Sequence, residues 1–194
     1  MKRIFDLFFA TFLFIILIPL FILISILIKI TSKGPVFFIQ ERVGKHAELF
    51  KMIKFRTMYI QQNTISKITI KGDSRITRIG FFLRKYKIDE LPELINVIFG
   101  KMSLVGPRPD VAGYADKLVG EDRKILMLRP GITGPASIKY ANEEEILALQ
   151  KDPIKYNDEI IYPNKVKINL DYYRNQNIWL DIKIIFATIF RRNY

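Results

Sequence analysis

The stretch Lys87-Ile88-Asp89-Glu90-Leu91-Pro92-Glu93-Leu94 holds the residues whose types and spacing are best suited to chemistry. Two adjacent carboxylates, Asp89 and Glu90, precede a proline. Such a pair admits two readings. At a helix start each acid complements the macrodipole, worth about 0.3–1 kcal/mol. The same pair can share a divalent ion, because Mg²⁺ is held by one or two carboxylates together with substrate phosphates. An aspartate can also attack phosphorus and form an acyl phosphate. Cations suited to phosphate recur through the chain: Lys54, Arg56, Arg75, Arg78, Arg84, Lys87 and Arg108. Lys85 and Lys101 read as solvated surface charge. Arg108 stands between Pro107 and Pro109. Proline fixes its own φ and restricts the residue before it. A guanidinium held in this way suits bidentate contact with phosphate oxygens.

Composition narrows the alternatives. The chain has 194 residues, no cysteine and one histidine, His46. A thiolate nucleophile, a Cys-based zinc site and a disulfide framework are excluded, and a Ser-His-Asp triad has only His46 to draw on. There are 31 Lys and Arg against 19 Asp and Glu, a net charge of +12. That balance points to an anionic partner: nucleotide, anionic lipid or nucleic acid. The basic residues are scattered and the aromatic residues are not interleaved with them, which argues against a nucleic-acid surface. The length suits one domain with an appendage.

The appendage is at the N-terminus. Leu7 to Ile28 is a run of 22 residues without a charge, interrupted by Pro19. As one helix it spans about 33 Å, enough for a bilayer core. Cations flank both ends: Lys2 and Arg3 before it, Lys29 and Lys33 after it. The positive-inside rule then keeps both ends in the cytoplasm, which a spanning helix cannot do. A proline near the middle kinks or breaks a helix, so a re-entrant hairpin and a kinked signal anchor both fit the pattern.

From Thr31 the composition changes. Residues 1–33 are expected to form the membrane segment and 34–194 a compact α/β domain, mainly helical with a small β element. Val36–Gln40 and Leu49–Arg56 read as strands and Gln61–Lys71 as a loop. Ile76–Lys87 and Asp89–Phe99 read as helices, the second stopped by Gly100. Gly106–Pro109 and Arg129–Pro135 read as rigid turns. Asn142 followed by Glu145 has the form of a capped helix start. Ile178–Arg192 carries Trp179, Ile182, Ile185, Phe186, Ile189 and Phe190 on one stripe, which fits a core-packed helix or one at a lipid interface.

Taken in order, these residues resemble the bacterial sugar transferase family, the small monotopic phosphoglycosyl transferases. The resemblance rests on KRIFDL with the Pro-interrupted apolar run, and on Gly34-Pro35-Val36-Phe37-Phe38 with Gln40-Glu41-Arg42-Val43-Gly44. It continues through Lys54-Phe55-Arg56-Thr57-Met58, Arg75-Ile76-Thr77-Arg78-Ile79-Gly80, Asp89-Glu90-Leu91-Pro92, Met102-Ser103-Leu104-Val105-Gly106-Pro107-Arg108-Pro109 and Arg129-Pro130-Gly131-Ile132-Thr133-Gly134. It implies a re-entrant helix hinged at Pro19, amphipathic interfacial helices, and a catalytic domain on the cytoplasmic face of the bacterial inner membrane. It implies transfer of a sugar-1-phosphate from a UDP-sugar to undecaprenyl phosphate, releasing UMP, at the first membrane step of glycan assembly. Asp89 would be the nucleophile, and Glu90 would act with it on Mg²⁺. Pro107 and Arg108 would hold phosphate, with Lys54, Arg56 and Arg84 as further substrate contacts. Membrane phospholipid is an implied partner, and a homodimer is compatible.

The chain departs from the family pattern at three places. Ile18 precedes Pro19 where many members have Ser. Lys101 stands where members often have Asp, so no metal role is assigned there. After Gly134 the sequence Pro-Ala-Ser-Ile-Lys-Tyr differs from the common Trp-containing stretch, which leaves the sugar open. A membrane-anchored basic binding or scaffold protein without catalysis is the alternative reading.

Overall fold

A computed structural model describes residues 1–60 and 75–190. The Gln61–Lys71 loop expectation and the last two residues of the 178–192 stripe lie outside the described residues.

The first element, α1 (Lys2–Thr31), is one helix that runs through Pro19. Helical structure continues across Pro19, which removes one hydrogen bond from the ladder. Its side chains explain its placement. Asp6, Ala10, Phe21, Ile24 and Ile28 are buried, with Phe14 and Leu17 packed between them at steps of three and four. This single stripe lies against the domain along most of the helix. The other faces leave Phe8, Phe12, Ile15, Ile16, Ile22, Leu23 and Ile26 exposed. By length and composition α1 is sufficient to cross a membrane.

Strands β1 (Phe37–Val43) and β2 (Leu49–Phe55) form an antiparallel hairpin, with Val43 opposite Leu49 and Phe37 opposite Phe55. Its loop places His46 and Ala47 in the left-handed region. Phe55 projects into a cluster with Phe21, Ile24, Ile28 and Leu83. It is 1% exposed, so Phe55→Ala would cost about 3–5 kcal/mol.

Helix α2 (Arg78–Lys85) begins later than the 76–87 pattern suggests, because Thr77 caps it by accepting from the Gly80 amide at 2.9 Å. The expected single helix over Asp89–Phe99 is split. Lys87 adopts φ 58°, a 3₁₀ turn covers Ile88–Glu90, and α3 (Glu93–Ile98) starts only after Pro92. Pro92 has no amide to continue the turn. Asp89 and Glu90 therefore sit on a separate tight turn and not in the first turn of an α-helix.

Two short strands not anticipated from sequence, β3 (Ser103–Val105) and β4 (Gly131–Thr133), pair in parallel with Ser103 opposite Gly131. β4 lies inside the expected Arg129–Pro135 turn, and β3 directly precedes the expected Gly106–Pro109 turn. Glycine permits their junction: a Cβ on Gly131 would meet the Gly106 amide nitrogen at 2.1 Å, and one on Gly134 would meet the Gly106 carbonyl at 2.1 Å.

The remainder is helical, as expected: α4 (Pro135–Lys139), α5 (Glu143–Ala148), α6 (Pro153–Tyr156), a π-turn at Asn157–Ile161, α7 (Tyr162–Asn175) and α8 (Ile178–Phe190). Asn142 precedes α5, but its side chain makes no cap, so the expected capping box is absent. On α8, Ile184 and Ala187 are in the core, while Trp179, Phe186, Ile189 and Phe190 are exposed. The helix is thus apolar on both its packed and its open face. The main core cluster joins Ala10 of α1 to Phe50, Met52, Leu94, Val97, Met102, Val105, Tyr172 and Ile184.

Candidate active site

Each carboxylate is placed by backbone. The left-handed Lys87 turns the chain sharply after α2, and the 3₁₀ turn closes with Glu90 N donating to Lys87 O and Leu91 N to Ile88 O. Asp89 and Glu90 are each 8% exposed. Strand β2 delivers Lys54. It is held against α3 by Asn96, whose side-chain oxygen accepts from Ile53 N at 3.0 Å and whose amide donates to Lys51 O at 2.7 Å. This brings the Lys54 ammonium 2.8 Å from Glu90 Oε1 and 3.3 Å from Glu93 Oε1.

Arg108 arrives from the other side. Its loop is fixed by Gly106 N donating to Thr133 O and Gly131 N donating to Pro107 O. Pro107 is therefore part of the brace between the two parallel strands. Arg108 donates from both terminal nitrogens to Glu90, one of them to Oε2 at 3.3 Å. Arg42 stands behind it, donating to Pro109 O at 3.4 Å and to Gln40 at 2.7 Å.

Electrostatics separates the three carboxylates. Burial pushes Asp89 up, and Glu90 adds to this; Lys54, Arg84 and Lys87 oppose it. Burial also opposes ionisation of Glu90, but Arg108 and Lys54 overcome it and hold Glu90 well below the usual carboxylate range. Burial, resisted by Lys54 and aided by Glu90, pushes Glu93 up to about 7. Asp89 differs in one more way: its Oδ1 is buried and accepts no hydrogen bond. Such an atom in a native site calls for an explanation. A bare carboxylate oxygen beside cations is suited to attack an electrophile or to meet a metal ion.

Sequence reasoning named Lys54, Arg84, Asp89, Glu90, Pro107 and Arg108, and the fold gathers them around one turn. Arg84 acts on Asp89 through its charge. Arg56 is taken elsewhere. It is 5% exposed, and its guanidinium donates to Ser32 O, Ser32 Oγ and Lys33 O, each at 2.8 Å. There it closes the C-terminus of α1. Three residues of the site were not singled out in sequence: Glu93, Asn96 and Arg42. The signal for Asn96 is a polar residue inside the apolar helix Glu-Leu-Ile-Asn-Val-Ile.

The turn opens on a cleft of about 2020 Å³ that Lys87, Glu90 and Arg108 line. One wall is apolar, with Phe5, Phe9, Leu13 and Leu17 of α1 facing Ile185 and Phe186 of α8. Another wall is polar, from α4 and α7. The cleft thus joins a charged centre to a lipid-like surface.

Comparison with known proteins agrees with this arrangement. Residues 1–192 match the family described as bacterial sugar transferase. The chain is 36% identical over 195 residues to UDP-glucose:undecaprenyl-phosphate glucose-1-phosphate transferase of Klebsiella pneumoniae, covering 98% of this chain and 39% of the relative. It is 40% identical over 198 residues to undecaprenyl-phosphate glucose phosphotransferase of Komagataeibacter xylinus, covering 98% of this chain and 35% of the relative. It is 36% identical over 197 residues to exopolysaccharide production protein PSS of Rhizobium leguminosarum, covering 97% of this chain and 93% of the relative. The chain spans about two fifths of the length of the first two relatives and nearly all of the third. Matched over residues 1–192, the chain belongs to the bacterial sugar transferase family.

Proposed function

We propose that the protein transfers a sugar-1-phosphate from a UDP-sugar to undecaprenyl phosphate, releasing UMP, as an enzyme of polysaccharide assembly. The observation that carries this reading is the bare, buried Asp89 carboxylate oxygen in the field of Lys54, Arg84 and Arg108, on a turn whose Lys87 and Glu90 line, with Arg108, a cleft that has one apolar wall. The names of the relatives supply the substrate classes.

Asp89 attacks the β-phosphorus of the donor. The bond from that phosphorus to the bridging oxygen breaks, UMP departs with the electron pair, and the sugar phosphate remains on Asp89 as an acyl phosphate. An oxygen of the lipid phosphate then attacks the same phosphorus and returns Asp89 to the carboxylate. Arg108 and Lys54, held by Glu90, face the phosphate charge that builds in both steps. Arg108, about half exposed, is able to shift from Glu90 to a bound phosphate.

Mg²⁺ fits as a resident ion held by Asp89 and Glu90 with the donor phosphates. Among the described residues no group of three His, Cys, Asp or Glu side chains stands together, so Asp89 and Glu90 would hold the ion jointly with the donor phosphates. Asp89 Oδ1 offers a free donor, and Glu90 offers oxygens now shared with Lys54 and Arg108. The ion supplies charge neutralisation of the diphosphate.

The membrane disposition follows from α1. Lys2 pairs with Asp181, Asp6 accepts from Ser103 at 2.8 Å, and Arg56 binds the carbonyl at Ser32. Both ends of the apolar helix are thus tied to one domain. That supports a monotopic arrangement on the cytoplasmic face of the inner membrane, with α1 entering and leaving on the same side and its hinge at Pro19. The open face of α8, with Trp179 77% exposed, rests against phospholipid.

The test is UMP release from a panel of UDP-sugars with undecaprenyl phosphate and Mg²⁺. Wild type should release UMP with at least one sugar, and Asp89→Asn with none. Release by both proteins alike would remove Asp89 as nucleophile, and release by neither would favour a non-catalytic scaffold.

A further inference from the structure

The polar wall of the cleft carries groups that the phosphate chemistry leaves unused. Ser137 on α4 and Asn169 on α7 both line the cleft shared with Glu90 and Arg108. Ser137 Oγ and Asn169 Oδ1 are buried, and neither has a hydrogen-bond partner. Asn169 is 7% exposed. Buried polar atoms are nearly always paired, so two orphans on one wall indicate a ligand or water that belongs there. Asp110 and Tyr162 line the same wall, with the Tyr162 hydroxyl 3.4 Å from Asp110 Oδ2.

The charge pattern of this wall differs from that of the catalytic turn. Lys165 is neutralised by Glu143 at 2.5 Å, and Asp110 is opposed by Arg42 and Lys165. Tyr140 presents its ring beneath Lys139 and Lys165, each about 5.8 Å from its centre, and its hydroxyl donates to Asn164. A wall of paired charges, amide, hydroxyl and aromatic groups suits a neutral ligand rich in hydroxyls. Of the two lysines on this wall, Lys165 is paired with Glu143 and Lys139 donates to Asn164 Oδ1 at 3.0 Å.

Position fits the same ligand. Asp110 follows Arg108 by two residues, with Pro109 rigid between them. Two residues span at most about 7 Å, roughly the breadth of one hexose ring. In a UDP-sugar the hexose is bonded directly to the β-phosphate. Arg108 and Asp110 line the same cleft, so a sugar on a phosphate held by Arg108 lies within reach of Asp110.

We propose that Asp110, Ser137, Tyr162 and Asn169 form the subsite that binds the hydroxyls of the donor hexose and selects among sugars. This rests on the reading of the cleft as a UDP-sugar site. Of the four, Ser137 lies in the stretch after Gly134 where the sequence departs from the common family pattern, so a specificity role there agrees with the sequence.

The test uses the full-length protein in detergent with UDP-glucose, UDP-galactose and UDP-N-acetylgalactosamine as donors, and UDP as a sugar-free competitor. Ser137→Ala and Asp110→Asn should raise the KM of the preferred donor by about five- to tenfold, the effect of one lost hydrogen bond. They should also change the ratio of kcat/KM between sugars, while the inhibition constant of UDP stays within about twofold, since the nucleotide is untouched. Asn169→Ser, which keeps a polar group, should give a smaller effect in the same direction. If donor and UDP weaken together, the wall holds the nucleoside or supports the fold, and the proposal is overturned. Unchanged KM and unchanged sugar ratios also overturn it, with the transferase reading intact. If wild type releases UMP from no sugar, the transferase reading fails first and the subsite with it.

Discussion

The Lys54 ammonium lies 2.8 Å from Glu90 Oε1, joining the end of β2 to the turn that carries Asp89. Glu90 is thereby held ionised between Lys54 and Arg108, while Asp89, its neighbour in sequence, keeps one oxygen bare. Two adjacent carboxylates so acquire different surroundings: one binds two cations, the other keeps a buried oxygen without a hydrogen bond.

Asp89→Asn should lower turnover by more than about 10³-fold with unchanged membrane association, the scale seen when a covalent nucleophile is removed. UMP release and membrane fractionation read the two properties separately. Activity near wild type would move the nucleophile elsewhere.

Lys54→Met should destabilise the fold by about 3–5 kcal/mol, because it leaves Glu90 and Glu93 buried without their shared ammonium. Adding Glu93→Gln should recover part of that loss. A double-mutant cycle on thermal unfolding measures the coupling, and simple additivity would show that Lys54 and Glu93 act independently.

The pH dependence of stability follows from Glu93. Its folded pKa, near 7, is above the ordinary 4.5, so the fold holds the proton more tightly than the unfolded chain does. That stabilisation is present below about pH 4.5 and is lost as pH rises through about 7. Asp110, pushed up to about 6 mainly by burial, acts in the same sense. Glu90 acts in the opposite sense, but only below 4.5. Between about pH 5 and pH 8 the Tm of wild type should therefore fall more than that of Glu93→Gln. Parallel curves would place the titration on another group.

Arg56→Ala should reduce stability by about 2–3 kcal/mol by freeing the carbonyls of Ser32 and Lys33. Arg108→Ala should instead reduce kcat/KM with a small change in Tm, since Arg108 is about half exposed. Comparing Tm and turnover for both variants checks the division of labour, and equal loss of Tm would contradict it.

Ile4→Cys and Lys33→Cys, introduced singly into this Cys-free chain, should both resist an impermeant thiol reagent in intact cells and both react after permeabilisation. The proposed same-side arrangement, supported by the Lys2–Asp181 and Arg56–Ser32 contacts, predicts this pattern. Labelling of one site alone in intact cells would replace the same-side arrangement with a spanning helix.

Much of this was legible in the chain. The apolar run from Leu7 to Ile28, the hairpin strands and the C-terminal helices follow from periodicity and composition, which are local properties. The motif around Asp89 and the Pro-Arg-Pro turn marked the site. The short parallel strands were not legible, since three-residue segments carry no period and exist only because glycines let Gly106 approach Gly131. The split between the 3₁₀ turn and α3 depended on a left-handed Lys87, a backbone state that no residue type requires there.

By itself the sequence determined the kinds of groups available: carboxylates beside a proline, a guanidinium between prolines, cations on both sides of an apolar helix, and neither cysteine nor a second histidine. The tertiary structure alone decided their roles. Lys54 lies in β2 and Arg56 just past its end, two residues on, yet Lys54 binds Glu90 and Arg56 caps α1, because each side chain meets a different neighbour in space. Asp89 and Glu90 are adjacent and chemically alike, and they differ because two cations from distant parts of the chain converge on only one of them. Charge and burial set a carboxylate's reactivity, and both are summed over neighbours in space rather than along the chain.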